Sequence, residues 1–198
     1  MAGRPDRGPL RRAFRFLFER VLGWTLDDEL PDLKKYVLLV YPHTSNWDFV
    51  IGIIGITALG LPRRWVGKDS LFRPPLGSVM RALGGIPVDR SSKHNFVEQV
   101  VDLFNSSDEL IVAIAPEGTR SWTDHWRTGF YFIALGAKVP IVLGYLDYSR
   151  KRGGIGPTFH PTGDIDADFD AIRAFYADKC GLHPEREGEI RHRPSGRE

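Results

Sequence analysis

The chain has 198 residues, of which 42% are hydrophobic and 26% are charged, and its formal net charge at pH 7 is +2. This length and composition predict one compact domain with a single core. The small net charge, without a basic run that alternates with aromatic residues, argues against a nucleic-acid partner. The single cysteine, Cys180, excludes an internal disulfide and a cysteine metal cluster, and histidines scattered without ligand spacing predict no metal site.

Positive charge is concentrated at the N-terminus, where residues 1–20 carry six arginines against Asp6 and Glu19. On a helix within residues 1–24, Arg12 and Arg15 face away from a stripe of apolar side chains. The stripe consists of Leu10, Phe14, Leu17, Phe18, Val21 and Trp24. Such a helix suits the surface of an anionic membrane, and it equally suits a cap on the protein core.

The N-terminus has basic residues but lacks the continuous apolar stretch of a secretory signal. We therefore expect a cytoplasmic protein that attaches peripherally to the inner face of the cell membrane. The longest apolar run, residues 49–61, is shorter than the roughly 20 residues that a membrane span takes. It predicts a buried or half-inserted helix.

Strand-like and helix-like segments alternate through the rest of the chain. Strands are predicted over residues 36–41, 64–68, 85–89, 110–115, 139–146 and, at an edge, 159–162. Helices are predicted from Ser45 or Asn46 to Gly60 and over residues 76–83, 95–105, 129–136 and 168–180. This alternation predicts an α/β fold with a central, mostly parallel sheet flanked by helices, preceded by the N-terminal amphipathic helix. Residues 183–198 are predicted to form a flexible polar tail.

His43 and Asp48 directly follow the first predicted strand. An imidazole held by a carboxylate is a common general base near neutral pH. A hydrogen-bonded pair that closes a turn after a strand has the same spacing. The pair by itself leaves both interpretations open.

Other polar residues follow the remaining predicted strands, and in a parallel sheet these strand ends lie at one edge. They comprise three cations, one carboxylate and a loop with two accessible backbone amides. These residues are Lys68, Arg90, Arg120, Glu117, Gly118 and Thr119. Cations with amides bind phosphate, while a base beside them takes a proton from a hydroxyl. The set predicts activation of a hydroxyl beside an anion site.

Four segments in this chain resemble, in order, the motifs of the glycerolipid acyltransferase family, which comprises the lysophosphatidate acyltransferases and their relatives. His43 and Asp48, with four residues between them, match the family's Asn-His-x4-Asp motif from its histidine onward. The others are residues 84–90 (Gly-Gly-Ile-Pro-Val-Asp-Arg), 115–121 (Ala-Pro-Glu-Gly-Thr-Arg-Ser) and 139–144 (Val-Pro-Ile-Val-Leu-Gly). Their order and spacing argue against chance agreement, and the resemblance implies an acyltransferase domain over residues 25–182.

The resemblance implies acyl transfer from acyl-CoA or acyl-carrier protein to a lysophospholipid hydroxyl, with 1-acyl-glycerol-3-phosphate as the expected acceptor. The thioester is a co-substrate, and the resemblance implies no metal, no other cofactor and no acyl-enzyme. His43 is then the general base, and Asp48 orients and charges its imidazole.

The same resemblance assigns the acceptor site. Arg120 pairs with the acceptor phosphate, and Glu117 orders the loop or contacts glycerol oxygens. Gly118 lets the backbone approach the ligand beside Thr119. The phosphate site is extended by Lys68 and Arg90.

Three positions depart from the family pattern: Pro42 replaces asparagine, Pro87 replaces a bulky apolar residue and Ala115 replaces phenylalanine. They remove no catalytic side chain, but they favour a distinct branch and leave, as an alternative acceptor, another lysolipid or a lipid with a different head group. A second hypothesis is a non-catalytic or thioesterase-like lipid-binding relative. A serine hydrolase is disfavoured because no Gly-x-Ser-x-Gly motif occurs.

Overall fold

The structure is a computed structural model that describes residues 8–62, 64–89 and 93–193, without the side chains of residues 93–95. Its seven strands form one sheet. The strands are β1 (Thr25–Asp27), β2 (Lys35–Tyr41), β3 (Trp65–Lys68), β4 (Gly85–Val88), β5 (Leu110–Ile114), β6 (Ile141–Asp147) and β7 (Arg152–Phe159). Their order across the sheet is β1-β7-β6-β2-β5-β3-β4.

The sheet is parallel from β6 to β4, and β7 joins it antiparallel to β6. Six α-helices are described: α1 (Gly8–Phe16), α2 (Asn46–Leu59), α3 (Gly77–Ala82), α4 (Lys93–Asn105), α5 (Gly129–Ala137) and α6 (Ile165–Tyr176). Short 3-10 turns cover Asp69–Phe72 and Pro184–Arg186. The α/β fold class, with a mostly parallel sheet flanked by helices, is therefore confirmed.

The central strand β2 is buried on both faces because helices cover both sides of the sheet. Tyr36 and Leu38 point into a cluster that also contains residues of α2 and the N-terminal segment. Val37 and Leu39 point into the opposite cluster, formed with α4, α5 and α6. Because β2 is the fourth of the seven strands in the described sheet, its carboxyl end lies in the middle of the row of strand ends.

The second predicted motif lies in part on an edge strand. Pro87 stands in β4, the last strand in the described sheet, where its one described partner is β3. A proline has no backbone N–H to donate, so sheets accept it at an edge. This position explains how the chain tolerates Pro87 where the family carries an apolar residue.

Two strands differ from the prediction. β7 runs over Arg152–Phe159 rather than residues 159–162, and β1, which pairs with it, was not predicted. The segment contains Gly153 and Gly154, which sequence reasoning associates with a loop. A Cβ at Gly154 would lie 2.5 Å from the Cβ of Asp27, so glycine is what allows β1 to approach.

The N-terminal helix packs on the domain. α1 continues into a π-helical turn, Leu17–Val21, and contacts α2. Phe18 is fully buried, and a Cβ at Gly55 would lie 3.3 Å from its ring. Trp24 is buried in the same cluster. Phe18 and Trp24 therefore cap the core, one of the two roles expected for this stripe.

Other side chains of this segment face outward. Leu10, Phe16 and Val21 are exposed. Arg15 bonds Glu19 and Asp28, so it is engaged within the protein. Within the described residues, no helix is both long and apolar enough to cross a membrane.

The C-terminal residues 183–193, expected to form part of a flexible tail, pack against the domain. The backbone N–H of His183 donates to Thr44, that of Gly188 donates to Glu117, and Ile190 contacts the core. The polar composition of this segment conceals these contacts, because they are made largely by backbone N–H groups. Residues 194–198 lie outside the described residues.

Candidate functional site

Asp48 is held by the loop that joins β2 to α2. Ser45 is the N-cap of α2. Asp48, at position N3 of the helix, accepts the backbone N–H of Ser45 and completes a capping box. Asp48 Oδ2 accepts hydrogen bonds from the backbone N–H groups of Thr44 and Ser45, both at 2.7 Å. The carboxylate therefore has a structural role in starting the helix.

The same carboxylate faces the histidine. His43 Nδ1 lies 3.5 Å from Asp48 Oδ2, with side-chain exposures of 18% and 2%. This distance suits an ion pair and exceeds an ordinary N–H to oxygen hydrogen bond. Catalytic hydrogen bonds are often long in the absence of ligand and shorten with substrate. The geometry is compatible with both interpretations of the pair, because Asp48 closes the turn and also faces the imidazole.

The environment of His43 favours a neutral imidazole. Burial lowers the pKa of His43, the positive charge of Arg120 lowers it further, and the negative charge of Asp48 opposes the shift. A neutral ring near pH 7 can accept a proton, which is what a general base requires. The geometry and the charges are compatible with base chemistry at this position.

Glu117 lies beneath the histidine loop. Its Oε2 accepts a 2.8 Å hydrogen bond from the backbone N–H of His43, and its Oε1 accepts a 2.9 Å bond from the N–H of Gly188. The residue is 2% exposed. Burial raises the pKa of Glu117 to about 8, against the effect of the two backbone donors. Its carboxyl is therefore a buried connector between segments.

The loop after β5 turns at Gly118, whose φ of 66° favours glycine. A Cβ there would lie 2.5 Å from Nε of Arg127, whose backbone N–H also donates to Pro116 at 2.9 Å. Thr119 is half-buried, and its Oγ1 accepts the N–H of Ser121. Arg127 thus covers the turn, a contact that the sequence did not predict.

The predicted cations take different positions. Arg120 is exposed and acts electrostatically on His43, so it belongs to the same locality. Lys68 is exposed at the end of β3, on the same sheet edge. β5 separates β3 from β2, which places Lys68 two strands, roughly 10 Å, from the β2 position. Arg90 lies outside the described residues.

Two side chains near the dyad escaped the sequence reasoning. The hydroxyl of Tyr148 donates to Asp48 Oδ1 at 2.6 Å. Thr44 is fully buried and accepts the N–H of His183 at 3.1 Å. Tyr148 directly follows β6, which adjoins β2 in the sheet, so the rule that ligands gather at strand ends could have identified it.

Burial also separates the aromatic residues that follow the third motif. Trp126, Phe130 and Tyr131 are in the core, whereas Trp122 is exposed. Within the described part of the chain, no group of three or more His, Cys, Asp or Glu side chains could hold a metal ion.

Comparison with known proteins gives two matches. The sequence model of the acyltransferase family matches residues 25–143. Among solved structures, the fold is similar to the 1-acyl-sn-glycerophosphate acyltransferase PlsC from Thermotoga maritima, with a TM-score of 0.54 and 16% identity. This match covers 85% of this chain and 75% of that chain, and at such identity it is a likeness of fold. No curated protein sequence matches the chain.

Proposed function

We propose, since this chain belongs to the acyltransferase family, that it moves a fatty acyl group from an acyl thioester to a hydroxyl of a lysophospholipid. The acceptor we propose is 1-acyl-glycerol-3-phosphate, and the donor is acyl-CoA or acyl-carrier protein. One observation carries the proposal: His43 faces Asp48 and is joined through its backbone to Glu117, three residues before Arg120.

The proposed chemistry needs one base and no acyl-enzyme. With Nδ1 of His43 facing Asp48, Nε2 is the nitrogen that removes the proton from the acceptor hydroxyl. The hydroxyl oxygen attacks the thioester carbonyl and forms the new C–O bond. The tetrahedral intermediate then breaks the C–S bond, and the imidazolium returns its proton to the leaving thiolate. Asp48 stabilises the imidazolium while it exists. The residues require no metal or further cofactor for these steps.

The acceptor head group is assigned to the loop after β5. Arg120 is exposed beside His43, so it can pair with a phosphate without leaving a buried cation unpaired when the site is empty. Glu117 orders this loop from below, and the turn at Gly118 brings the backbone of Thr119 toward the ligand. Lys68, at the end of β3, extends the proposed phosphate site, and Arg90 is assigned to that site from the motif alone.

Lipid substrates require contact with a membrane surface, which we assign to the N-terminal segment. Leu10, Phe16 and Val21 are exposed there. Trp47, at the start of α2 beside the dyad, is exposed as well. Exposed apolar residues next to basic ones suit the boundary between head groups and acyl chains. We place the protein peripherally on the inner face of the cell membrane, with no nucleic-acid partner.

The test is an assay of thiol release with acyl-CoA or acyl-carrier protein and lysophosphatidate in mixed vesicles. His43→Ala should lower the rate by about 10²- to 10⁴-fold, because it removes the base. Arg173→Ala, at an exposed position on α6, is the matched control and should retain the wild-type rate. Unaltered activity in His43→Ala would contradict the role of His43 as the general base.

The same assay separates the alternatives. Thiol release that needs no lysolipid indicates a thioesterase, and binding of lipid without thiol release indicates a non-catalytic relative. Mass spectrometry of the products from a panel of lysolipids identifies the acceptor. A product formed only from a lysolipid with another head group would replace 1-acyl-glycerol-3-phosphate and keep the acyltransferase.

A further inference from the structure

Tyr148 contacts the carboxylate that faces His43. Its hydroxyl donates to Asp48 Oδ1 at 2.6 Å, while Oδ2 accepts the two backbone N–H groups of the histidine loop. The backbone donors, Thr44 and Ser45, are local, because they precede Asp48 by four and three residues. The phenol comes from the end of β6, so it ties Asp48 to a separate, fully buried strand.

Tyr148 is itself held from two sides. Its backbone N–H donates to the carbonyl of Cys180 at 2.8 Å. Its ring packs edge-on against Trp24, with centroids 4.9 Å apart and planes at 85°. Trp24 is buried, and its backbone N–H donates to the carbonyl of Phe18, whose ring packs on α2. The phenol therefore has little freedom to leave Asp48.

We propose that Tyr148 is a positioning residue for the reaction: its phenol fixes the orientation and charge of Asp48 toward His43, and Trp24 fixes the phenol. This inference rests on the proposed function. A carboxylate that accepts a further hydrogen bond attracts a neighbouring imidazolium less strongly, because its negative charge is partly compensated. Loss of the phenol hydroxyl therefore raises the pKa of His43 and lets Asp48 rotate.

The charges that act on His43 are those of Asp48 in α2 and of Arg120 in the loop after β5, and the carboxyl of Glu117 contacts its backbone N–H. Tyr148 donates a hydrogen bond to Asp48, so a change at Tyr148 acts on the carboxylate and leaves the charge of Arg120 in place. Burial and the hydrogen bond to Asp48 raise the pKa of the phenol well above its ordinary value, so it stays a donor throughout the pH range of an assay. An effect of Tyr148 on the titration of His43 therefore passes through Asp48.

The test compares Tyr148→Phe with Tyr131→Phe. Tyr131 offers a matched control because its hydroxyl also donates to a buried carboxylate, that of Asp168, at 2.7 Å, on the helices α5 and α6. Both variants lose one phenol-to-carboxylate hydrogen bond. Tyr148→Phe should lower kcat about tenfold or more, the value of one hydrogen bond to a charged group, with little change in the acceptor KM. Its acid limb in kcat/KM should move to higher pH, and Tyr131→Phe should show neither change.

A second measurement does not depend on activity. NMR titration of ¹³C-labelled histidines, with the His43 signal assigned from His43→Gln, gives the pKa of this imidazole in each protein. We expect a rise in Tyr148→Phe and no change in Tyr131→Phe. Trp24→Leu should shift the same signal in the same direction by a smaller amount.

The outcomes separate this inference from the proposed function. A His43 pKa that is equal in wild type and Tyr148→Phe overturns the positioning role, whether or not the enzyme acylates a lysolipid. The wild-type protein can also fail to acylate any lysolipid while the His43 pKa rises in Tyr148→Phe. That result supports the positioning role of Tyr148 and overturns the proposed function. Equal kcat and acid limbs in Tyr148→Phe and Tyr131→Phe also overturn the positioning role.

Discussion

The backbone N–H of His43 donates a 2.8 Å hydrogen bond to Oε2 of Glu117, across 74 positions of sequence. The bond joins the loop after β2 to the loop after β5, two neighbouring strands of the sheet. The other carboxyl oxygen accepts the N–H of Gly188, so a third segment meets at the same buried group. The position of the imidazole therefore depends on a carboxyl that belongs to a different motif.

The first prediction concerns the pH dependence of stability. The pKa of Glu117 rises from 4.5 to about 8 on folding because the group is buried. Between these values the folded state binds the additional proton, so the stability contributed by this group is complete below 4.5 and is lost as pH rises through 8. Glu117→Gln should remove this slope, which for one proton is about 1.4 kcal/mol per pH unit.

Urea unfolding of wild type and Glu117→Gln at several pH values across this window measures the slope. Glu109→Gln, which changes an exposed carboxylate, is the control and should keep the wild-type slope. Equal slopes in wild type and Glu117→Gln would contradict a protonated carboxyl beneath the histidine loop.

The second prediction concerns the packing behind His43. A Cβ at Gly181 would lie 2.9 Å from Thr44 Oγ1 and 3.1 Å from the Cβ of Pro42, both on the loop that carries the histidine. Because Thr44 is fully buried, it has little room to yield. Gly181→Ala should lower the free energy of unfolding by about 1–3 kcal/mol and lower kcat by displacing the loop.

Thermal unfolding and the thiol-release assay test both parts of this expectation. Gly52→Ala is the matched control, because a Cβ at that position in α2 has no neighbour within 4 Å. Alanine is the better helix former, so the control should gain about 0.5–1 kcal/mol. Wild-type stability and kcat in Gly181→Ala would show that the loop adjusts without cost.

The third prediction concerns Arg120. Its charge lowers the pKa of His43, so Arg120→Ala should raise that pKa and move the acid limb of kcat/KM to higher pH. If it also pairs with the acceptor phosphate, the acceptor KM should rise about tenfold or more while the donor KM stays unchanged. Steady-state kinetics over a pH series measure both effects.

Arg173→Ala again provides the control, because this exposed arginine lies on α6 and bonds Asp170. An Arg120→Ala enzyme whose acceptor KM equals that of wild type would argue against the phosphate role. A shifted acid limb with an unchanged acceptor KM would retain the electrostatic effect and reassign the phosphate to other cations.

The fourth prediction concerns the N-terminal segment. Leu10, Phe16 and Val21 are exposed at 53%, 62% and 62%, so replacing all three by serine should leave the free energy of unfolding nearly unchanged. Binding to vesicles that contain anionic lipid should fall about tenfold or more, because apolar contact with the bilayer is lost.

Co-sedimentation with anionic and with neutral vesicles measures this effect. Leu182→Ser, at an exposed apolar position in another segment, is the control and should bind as wild type does. Vesicle binding that is equal in the triple variant and wild type would move the membrane contact to another surface.

The sequence identified the fold class and the family because both depend on short-range patterns. Short apolar runs predicted both ends of β2, β5 and β6 to within two residues, and Ser45 was one of the two N-caps proposed for α2. The ordered motifs predicted the family that the match over residues 25–143 shows. The roles of His43, Asp48 and Arg120 remain predictions.

The tertiary structure decided what surrounds those motifs. Tyr148 reaches Asp48 across 100 positions of sequence, and Gly188 reaches Glu117 across 71. A periodic pattern carries no information about such contacts, because they form only when distant segments pack together. Polar groups that become buried in this packing are then hydrogen-bonded to one another. The sequence could therefore identify His43 as a candidate base but could not describe its surroundings. The burial that lowers its pKa, and the carboxyl that holds its backbone, were decided by the fold.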